Sequence, residues 1–155
     1  MTYVDSILEP GEQVVYRTTV SWTVFAQAIW LAIAALVMLY VATNLVGTGG
    51  AEAFALAIVV ILAVLALASF LRAWFRRAST EIAVTDRRII LKKGFIRRHT
   101  VEMNMQKVES VDVDQTLLGR LFNYGNVTVR GTGSTFETIR RIDSPLKLRT
   151  TVTAR

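Results

Sequence analysis

Residues 111–133 read VDVDQTLLGRLFNYGNVTVRGTG, and this stretch indicates how the C-terminal half of the chain is built. Its two ends alternate apolar and polar residues, a pattern typical of half-buried strands. The middle carries four large apolar residues at the spacing of one face of a short helix: Leu117, Leu118, Leu121 and Phe122. We interpret this helix as a plug that closes the open mouth of a β-barrel. Alternatively, its apolar face contacts a neighbouring protein or dips into a bilayer.

The alternating pattern extends over the whole segment 79–155. It predicts strands over 80–85, 88–94, 97–105, 110–115, 126–131 and 136–142. Ser144 and Pro145 resemble an N-cap followed by proline at the first helical position, and predict a C-terminal helix. Closely spaced short strands of this kind predict a small antiparallel β-barrel or sandwich. The N-terminal segment 1–21 contains one more strand-like stretch, and the sequence leaves open whether it joins this domain.

Two long apolar segments lie between these regions. Residues 22–46 contain no charged side chain, and residues 53–75 contain one, near their end. A helix needs about 20 apolar residues to cross a bilayer core, and the sequence GTGGAE between the segments fits a tight turn. Residues 22–75 are therefore predicted to form a transmembrane helical hairpin. A signal peptide is a poor alternative for the first segment, because the residues before it are acidic and the apolar run is too long.

Aromatic and basic residues occur where the predicted spans would meet water. These interface anchors are Trp22, Arg72, Trp74, Arg76 and Arg77. The loop between the spans has no Lys or Arg, whereas three Arg residues, Arg72, Arg76 and Arg77, lie at the exit of the second span. Positive residues stay on the cytoplasmic side, so the C-terminal domain and both termini are expected there.

Small residues suggest close helix packing within the hairpin or between protomers. In the first span they are Ala28, Ala32 and Ala35. In the second they are Ala53 and Ala57.

The composition excludes several function classes. The 155 residues are 52% hydrophobic and only 19% charged, yet the net charge is +6, a combination that favours a membrane protein with cationic flanks. The chain has no cysteine and one histidine, His99, which rules out disulfides and thiolate sites and most zinc or catalytic schemes. We therefore expect neither a cofactor nor a metal.

The remaining polar motifs do not assemble into an enzyme. Asp112 and Asp114 lie two residues apart on a predicted strand, and a solvated strand face explains them better than an acid–base pair. The sequence GTGST lacks the Lys and the helix that accompany phosphate-binding loops. No aromatic platform or recognition helix accompanies the basic residues, so nucleic acid is not an expected partner. The chain is expected not to be an enzyme.

Several motifs resemble the bacterial pleckstrin-homology-like (PH-like) domain family in its membrane-anchored form. They are TDRRI at 85–89, KVESVDVDQ at 107–115, LLGRLFNYG at 117–125, VTVRGTG at 127–133 and EPGE at 9–12. The resemblance implies an α+β membrane protein, with a two-helix transmembrane hairpin and a PH-like barrel ending in a helix. It also implies a location at the bacterial inner membrane.

Paired basic residues are the candidate lipid-surface residues: Arg87, Arg88, Lys92, Lys93, Arg97 and Arg98. By resemblance to PH domains they suggest a site for anionic headgroups. General attraction to an anionic leaflet, or a surface for a protein partner, explains the same charges. The expected function is a non-enzymatic, self-associating interaction or scaffold module, with the bilayer, a second copy or other membrane proteins as partners. Anionic-lipid binding, or a role as accessory subunit of a membrane enzyme or transport complex, are the alternatives.

Overall fold

The structure, a computed structural model, describes residues 3–44, 50–94, 99–132 and 138–154. The chain divides into two compact units. One unit comprises residues 1–23 and 76–155 and is rich in strands, and the other comprises residues 24–75 and is helical. The N-terminal segment is thus part of the β-rich domain, although the helical hairpin separates it in sequence from the rest of that domain.

The elements follow the predicted order with shifted ends. The α-helices among the described residues are α1 (Tyr3–Ile7), α2 (Ala26–Asn44), α3 (Gly50–Ser79), α4 (Leu117–Leu121) and α5 (Pro145–Thr153). The strands are β1 (Val14–Thr19), β2 (Glu81–Thr85), β3 (Arg88–Lys93), β4 (His99–Asn104), β5 (Val108–Asp114), β6 (Tyr124–Gly131) and β7 (Thr138–Asp143). Short 3₁₀ turns cover Trp22–Phe25 and Met105–Lys107. The fifth strand was predicted over 110–115, but β5 already begins at Val108.

Two helices of the described chain are long and apolar enough to cross a membrane. Trp22–Asn44 has a mean hydropathy of 2.3 and Gly50–Ser79 one of 3.0. The second helix exceeds the predicted 53–75 at both ends, because residues 50–52 and 76–79 continue the helical backbone. The end of the first predicted span, 45–46, lies outside the described residues.

Alanine side chains are buried within the helical unit. Ala28, Ala35 and Ala42 of α2 recur every seven residues, which is the spacing of a packing seam between helices. Ala55 is buried on α3. The predicted stripes differ in detail, since Ala32 of α2 and the pair Ala53 and Ala57 of α3 are exposed. Sequence spacing of small residues does not by itself specify which face of a helix meets its neighbour.

The β-rich unit consists of two antiparallel sheets, as the PH-like prediction requires. The strand orders are β1-β2-β3-β4 and β5-β6-β7. Strand β1 pairs with β2, with Thr19 opposite Glu81. Val20, the residue after β1, forms an isolated β-bridge with Ile142 of β7, which belongs to the second sheet. The N-terminal strand thus completes the first sheet and touches the second.

Alternating side chains of both sheets form the main core. Each sheet and helix α5 contribute apolar residues: Ile82, Val84, Ile89, Leu91, Met103, Val111, Val127, Val129, Ile139, Ile142, Leu148 and Val152. The alternating pattern agrees with this core, since Ile82 and Val84, two residues apart in β2, are both buried in it, as are Val127 and Val129 of β6. Helix α5 closes the core with Leu148, which is only 1% exposed.

The opposite face of the first sheet is covered by the N-terminus. Val4 of α1 is buried against Ala83 and Ile90, and Ile7 and Leu8 pack around them. Strand β2 is therefore buried on both faces. Alternation of apolar and polar residues predicts burial of only one face, so it does not predict this arrangement. Residues far apart in sequence supply this cover.

Two glycines of β6 permit close approach between strands. A Cβ atom at Gly125 would lie 2.8 Å from the carbonyl oxygen of Asp114, and one at Gly131 would collide with the carbonyl of Lys107. Only glycine fits these positions without backbone movement. Gly125 and Gly131 thus allow β6 to lie close to β5 and to the turn that precedes it.

The start of α5 differs from the predicted N-cap. Ser144 has a left-handed backbone (φ +49°) and its side chain caps nothing. Its hydroxyl instead accepts a hydrogen bond from the Asn123 amide, while its carbonyl accepts from the backbone N–H groups of Lys147 and Leu148. Tertiary contact with the end of α4 has replaced local capping.

Candidate functional site

The predicted lipid-surface residues do not form one cluster. Arg88 and Lys93 are the first and last residues of β3. A strand rises about 3.3 Å per residue, so their backbones are about 17 Å apart. Arg87 accompanies Arg88 at one end of the strand, and Lys92 accompanies Lys93 at the other. Arg97 and Arg98 lie outside the described residues. Of the candidates that the structure describes, Arg87 and Arg88 therefore cannot share one headgroup site with Lys92 and Lys93.

Arg88 is held in an internal ion pair with Glu12. Its Nη2 lies 2.7 Å from Glu12 Oε2 and its Nε donates to Oε1 at 3.0 Å. The Glu12 side chain has no exposed surface. Arg88 also donates to the Ile7 carbonyl and pairs with Glu102 at 2.9 Å. This arginine fastens the N-terminal segment to the sheet, so assigning it to a lipid surface is wrong.

The Glu12 carboxylate is fully satisfied by hydrogen bonds. Besides Arg88, it accepts from the Thr85 hydroxyl at 2.7 Å and from the backbone N–H of Glu9 at 2.9 Å. These donors, with Arg88 foremost, lower the pKa of Glu12 from 4.5 to about 2 against the opposing effect of burial. The motifs EPGE and TDRRI thus meet in one ion pair, between Glu12 of the first and Arg88 of the second. We call this buried pair the latch. Nothing in the sequence indicates that these two motifs meet.

Arg87 is the exposed neighbour of this latch. Its side chain is 53% exposed and lies 3.2 Å from Glu9, which is also exposed. An ion pair at that exposure contributes little to stability. Arg87 is accessible but stands at the end of β3 away from Lys93.

A basic groove of about 370 Å³ opens beside the last turn of α3. Its cationic lining residues are Arg76, Lys93 and Arg140, and its hydroxyl-bearing ones are Ser79, Thr80 and Thr138. Arg76 donates to the carbonyl oxygen of Arg140 at 3.4 Å. Guanidinium, ammonium and hydroxyl groups in one groove are suited to phosphate oxygens.

The groove combines residues that the sequence analysis assigned to separate groups. Arg76 was predicted as an interface anchor and Lys93 as a lipid-surface residue, whereas Arg140 was not a candidate. The basic pair at 140–141 is visible in the sequence, but only the fold brings Arg140 of β7 next to Arg76 in the last turn of α3. Of the other predicted anchors, Trp22, Arg72 and Trp74 are exposed and Arg77 is half-buried.

Helix α4 does not plug the barrel. Leu117, Leu118 and Leu121 are 83%, 60% and 74% exposed, and Phe122 is 44% exposed. The buried residue of this helix is Gly119. The predicted closure of the barrel mouth by these side chains is therefore wrong, because the helix turns its glycine inward and its leucines outward.

The acidic residues considered for chemistry lie on an exposed strand face. Asp112 is paired with Arg130 of the neighbouring strand at 3.0 Å, and both side chains are more than half exposed. Across the described ranges, no three His, Asp or Glu side chains cluster as metal ligands would.

Comparison with known families agrees with this architecture. The model of the family described as "Bacterial PH domain" matches residues 18–155, which include the hairpin, β2 to β7 and α5. Searches of curated proteins and of solved structures found no match to the chain. The family match and the two antiparallel sheets closed by a C-terminal helix confirm the resemblance seen in the motifs. The chain belongs to the bacterial PH domain family.

Proposed function

We propose that this protein is a membrane-anchored binding module without catalytic activity, and that its basic groove binds anionic lipid headgroups. The hairpin holds it at the cytoplasmic face of the inner membrane, the side that the positive-inside rule assigns to Arg72, Arg76 and Arg77. The observation that carries the proposal is the groove itself. Arg76, which belongs to the second candidate span, lines it together with Lys93 and Arg140.

The location of the groove along the chain favours a lipid ligand. A residue in the last turn of a spanning helix lies near the headgroups, where an anionic leaflet attracts cations. Besides its positive charge, the groove supplies hydroxyl donors. Basic residues that only fixed the topology of the membrane helices would not need such donors. Its chemistry suits any phosphate-bearing headgroup and does not distinguish one from another.

Reversing the charge of the groove is expected to abolish preferential binding of anionic lipid. The variant is Arg76→Glu, Lys93→Glu and Arg140→Glu in the full chain. Each basic residue near an anionic leaflet contributes about 1 kcal/mol, so apparent affinity should fall on the order of a hundredfold. The measurement is the rise in unfolding temperature when phosphatidylglycerol, or phosphatidylcholine as the neutral lipid, is titrated into the protein in mild detergent.

A matched variant controls for net charge. Arg87→Glu, Arg130→Glu and Arg149→Glu change the charge equally, and none of these residues lines the groove. This control should keep the preference for phosphatidylglycerol. Equal losses in both variants would mean that general electrostatics, and not the groove, attracts the lipid.

A second candidate function is self-association through the hairpin. A groove of about 620 Å³ runs between its helices and is lined almost entirely by apolar residues, several of them alanines: Ala28, Ala32, Ala35, Ala63 and Ala66. Ala32 and Ala63 are exposed there. Small residues allow the backbone of another helix to approach closely, which supports packing of a second copy.

Filling this apolar groove is expected to weaken self-association. Ala32→Leu with Ala63→Leu should lower the fraction of dimers or larger species, measured by cross-linking in native membranes and by light scattering in mild detergent. The control, Ala34→Leu with Ala57→Leu, changes exposed alanines of the same helices outside the groove. Wild-type protein that stays monomeric at every concentration would exclude a scaffold, and cross-links to a different protein would favour the accessory-subunit role.

A further inference from the structure

The exposed leucines of α4 lie on a helix that does not need them for its own placement. Gly119 is the buried residue of the helix, and a Cβ atom there would lie 2.6 Å from the carbonyl oxygen of Tyr124. Thr116 caps the helix by accepting from the backbone N–H of Gly119 at 3.1 Å. Packing through glycine brings one face of α4 close against β6, and the large apolar side chains are left on the outside.

Polar contacts fix both ends of this short helix. Gln115 donates its amide to the Tyr124 carbonyl at 3.1 Å. Asn123, in a left-handed backbone conformation, accepts from the backbone N–H of Ser144 through its carbonyl at 2.9 Å. The helix is therefore held firmly while Leu117, Leu118 and Leu121 remain in contact with solvent. Exposed apolar clusters of this kind mark interaction surfaces.

An aromatic contact connects α4 to the start of the first candidate span. Phe122 meets Trp22 edge-to-face, with ring centroids 5.9 Å apart and planes at 89°. Trp22 is the first residue of that span and is half exposed. Tryptophan at the end of a span lies at the level of the lipid headgroups. The contact therefore places α4 at the same level, beside the point where the chain enters the bilayer.

We infer that α4 inserts its leucines into the cytoplasmic leaflet as a second, interfacial anchor. The occupant of this apolar face is lipid acyl chain, because Phe122 at the end of the same helix contacts Trp22, the first residue of a candidate span. Arg120, exposed on the same helix, is placed to reach a lipid phosphate. The inference rests on the proposed membrane anchoring, but it adds a contact that neither the hairpin nor the basic groove makes.

Insertion would orient the PH-like domain. Leucines buried among the acyl chains would turn the side of the domain that carries α4 toward the leaflet. The basic groove, which begins in the last turn of the second span, would then be held near the headgroups. This gives the apolar helix and the groove complementary roles.

The chain contains no cysteine, which allows labelling at one chosen position. Full-length Leu121→Cys and Leu117→Cys carry an environment-sensitive fluorophore and are reconstituted into phosphatidylglycerol–phosphatidylcholine vesicles. Val60→Cys reports the hairpin, and Arg87→Cys reports a water-exposed position. At both leucine positions we expect quenching by acyl-brominated lipid and several-fold weaker quenching by iodide than at position 87.

The outcomes separate the two proposals. If position 60 is quenched by brominated lipid while positions 117 and 121 respond to iodide as position 87 does, α4 does not insert and the anchoring stands. Protection from iodide without quenching by brominated lipid would show a protein covering the helix, and would overturn insertion. If brominated lipid fails to quench even position 60, the membrane anchoring itself is wrong.

Discussion

A chain that consists only of residues 79–155 is expected not to fold, although it contains every strand of the domain that the C-terminal sequence pattern predicts. It lacks β1, the hydrogen-bonding partner of β2. It also lacks Val20, which is 1% exposed, and Val4, which is completely buried against Ala83 and Ile90. An unpaired strand edge and an uncovered apolar sheet face favour aggregation. The expected result is poor dispersion of amide signals by NMR and no cooperative thermal transition.

Restoring β1 without the hairpin should restore folding. Thr19 stands opposite Glu81, so the two parts of the domain come together at this point. A Gly/Ser linker of about six residues, reaching roughly 13 Å, should join residues 1–21 to residues 80–155. We expect dispersed amide signals and one cooperative transition from the joined chain. Cooperative unfolding of 79–155 by itself would show that β1 and the N-terminal cover are dispensable.

Arg88→Ala is expected to lower the free energy of unfolding of the β-rich domain by about 3–5 kcal/mol, because it leaves Glu12 as a buried charge without its cation. For a domain of this size the midpoint should fall by about 10 °C or more. Arg87→Ala is the matched control, since this arginine is 53% exposed and its pair with the exposed Glu9 should contribute less than about 1 kcal/mol. Thermal unfolding of the full chain in mild detergent measures both.

The pH dependence of the free energy of unfolding tests the contribution of the Glu12 carboxylate to the same latch. The folded domain lowers the pKa of Glu12 from 4.5 to about 2, so its ionised form stabilises the fold fully above pH 4.5. This contribution, about 3 kcal/mol, is lost as the pH falls from 4.5 toward 2. The stability difference between wild type and Glu12→Gln should therefore be largest above pH 4.5 and shrink below it. A difference that is independent of pH would contradict the role of the ionised carboxylate.

A double variant tests whether Arg88 and Glu12 stabilise the domain through each other or through other partners. If Arg88 and Glu12 stabilise the domain mainly through each other, Glu12→Ala with Arg88→Ala should cost clearly less than the sum of the single changes. Strict additivity would mean that Arg88 acts instead through Glu102 and the Ile7 carbonyl.

Much of the architecture followed from local pattern. Long apolar runs with almost no charge predicted the two apolar helices, and alternation placed Ile82 and Val84 on the same face of their strand. Both signals work because burial imposes a period on the chain. The ends of elements were less predictable, since helix ends depend on contacts that distant residues make. Ser144 is an example: Asn123 binds the hydroxyl that capping would have used.

The candidate site could be predicted only in part. Arg76 and Lys93 were recognised as basic residues near the membrane or lipid, but nothing local joined them to Arg140, because strand pairing and the end of a helix bring them together. Arg88 shows the reverse case. Its sequence neighbours suggested a cationic surface, and only the position of Glu12 shows that its charge is used inside the domain.

The sequence by itself determined the family, the two apolar helices and the alternating faces of the strands, because each is a periodic or compositional property of neighbouring residues. Only the tertiary structure decided which side of α4 packs against the rest of the domain. The spacing of Leu117 and Leu121 places them on one side of a helix but does not say which side meets the protein. Gly119 decides it, because the carbonyl of Tyr124 leaves no room there for a side chain. The leucines that the sequence pattern suggested as a plug are therefore exposed on the outside of the barrel.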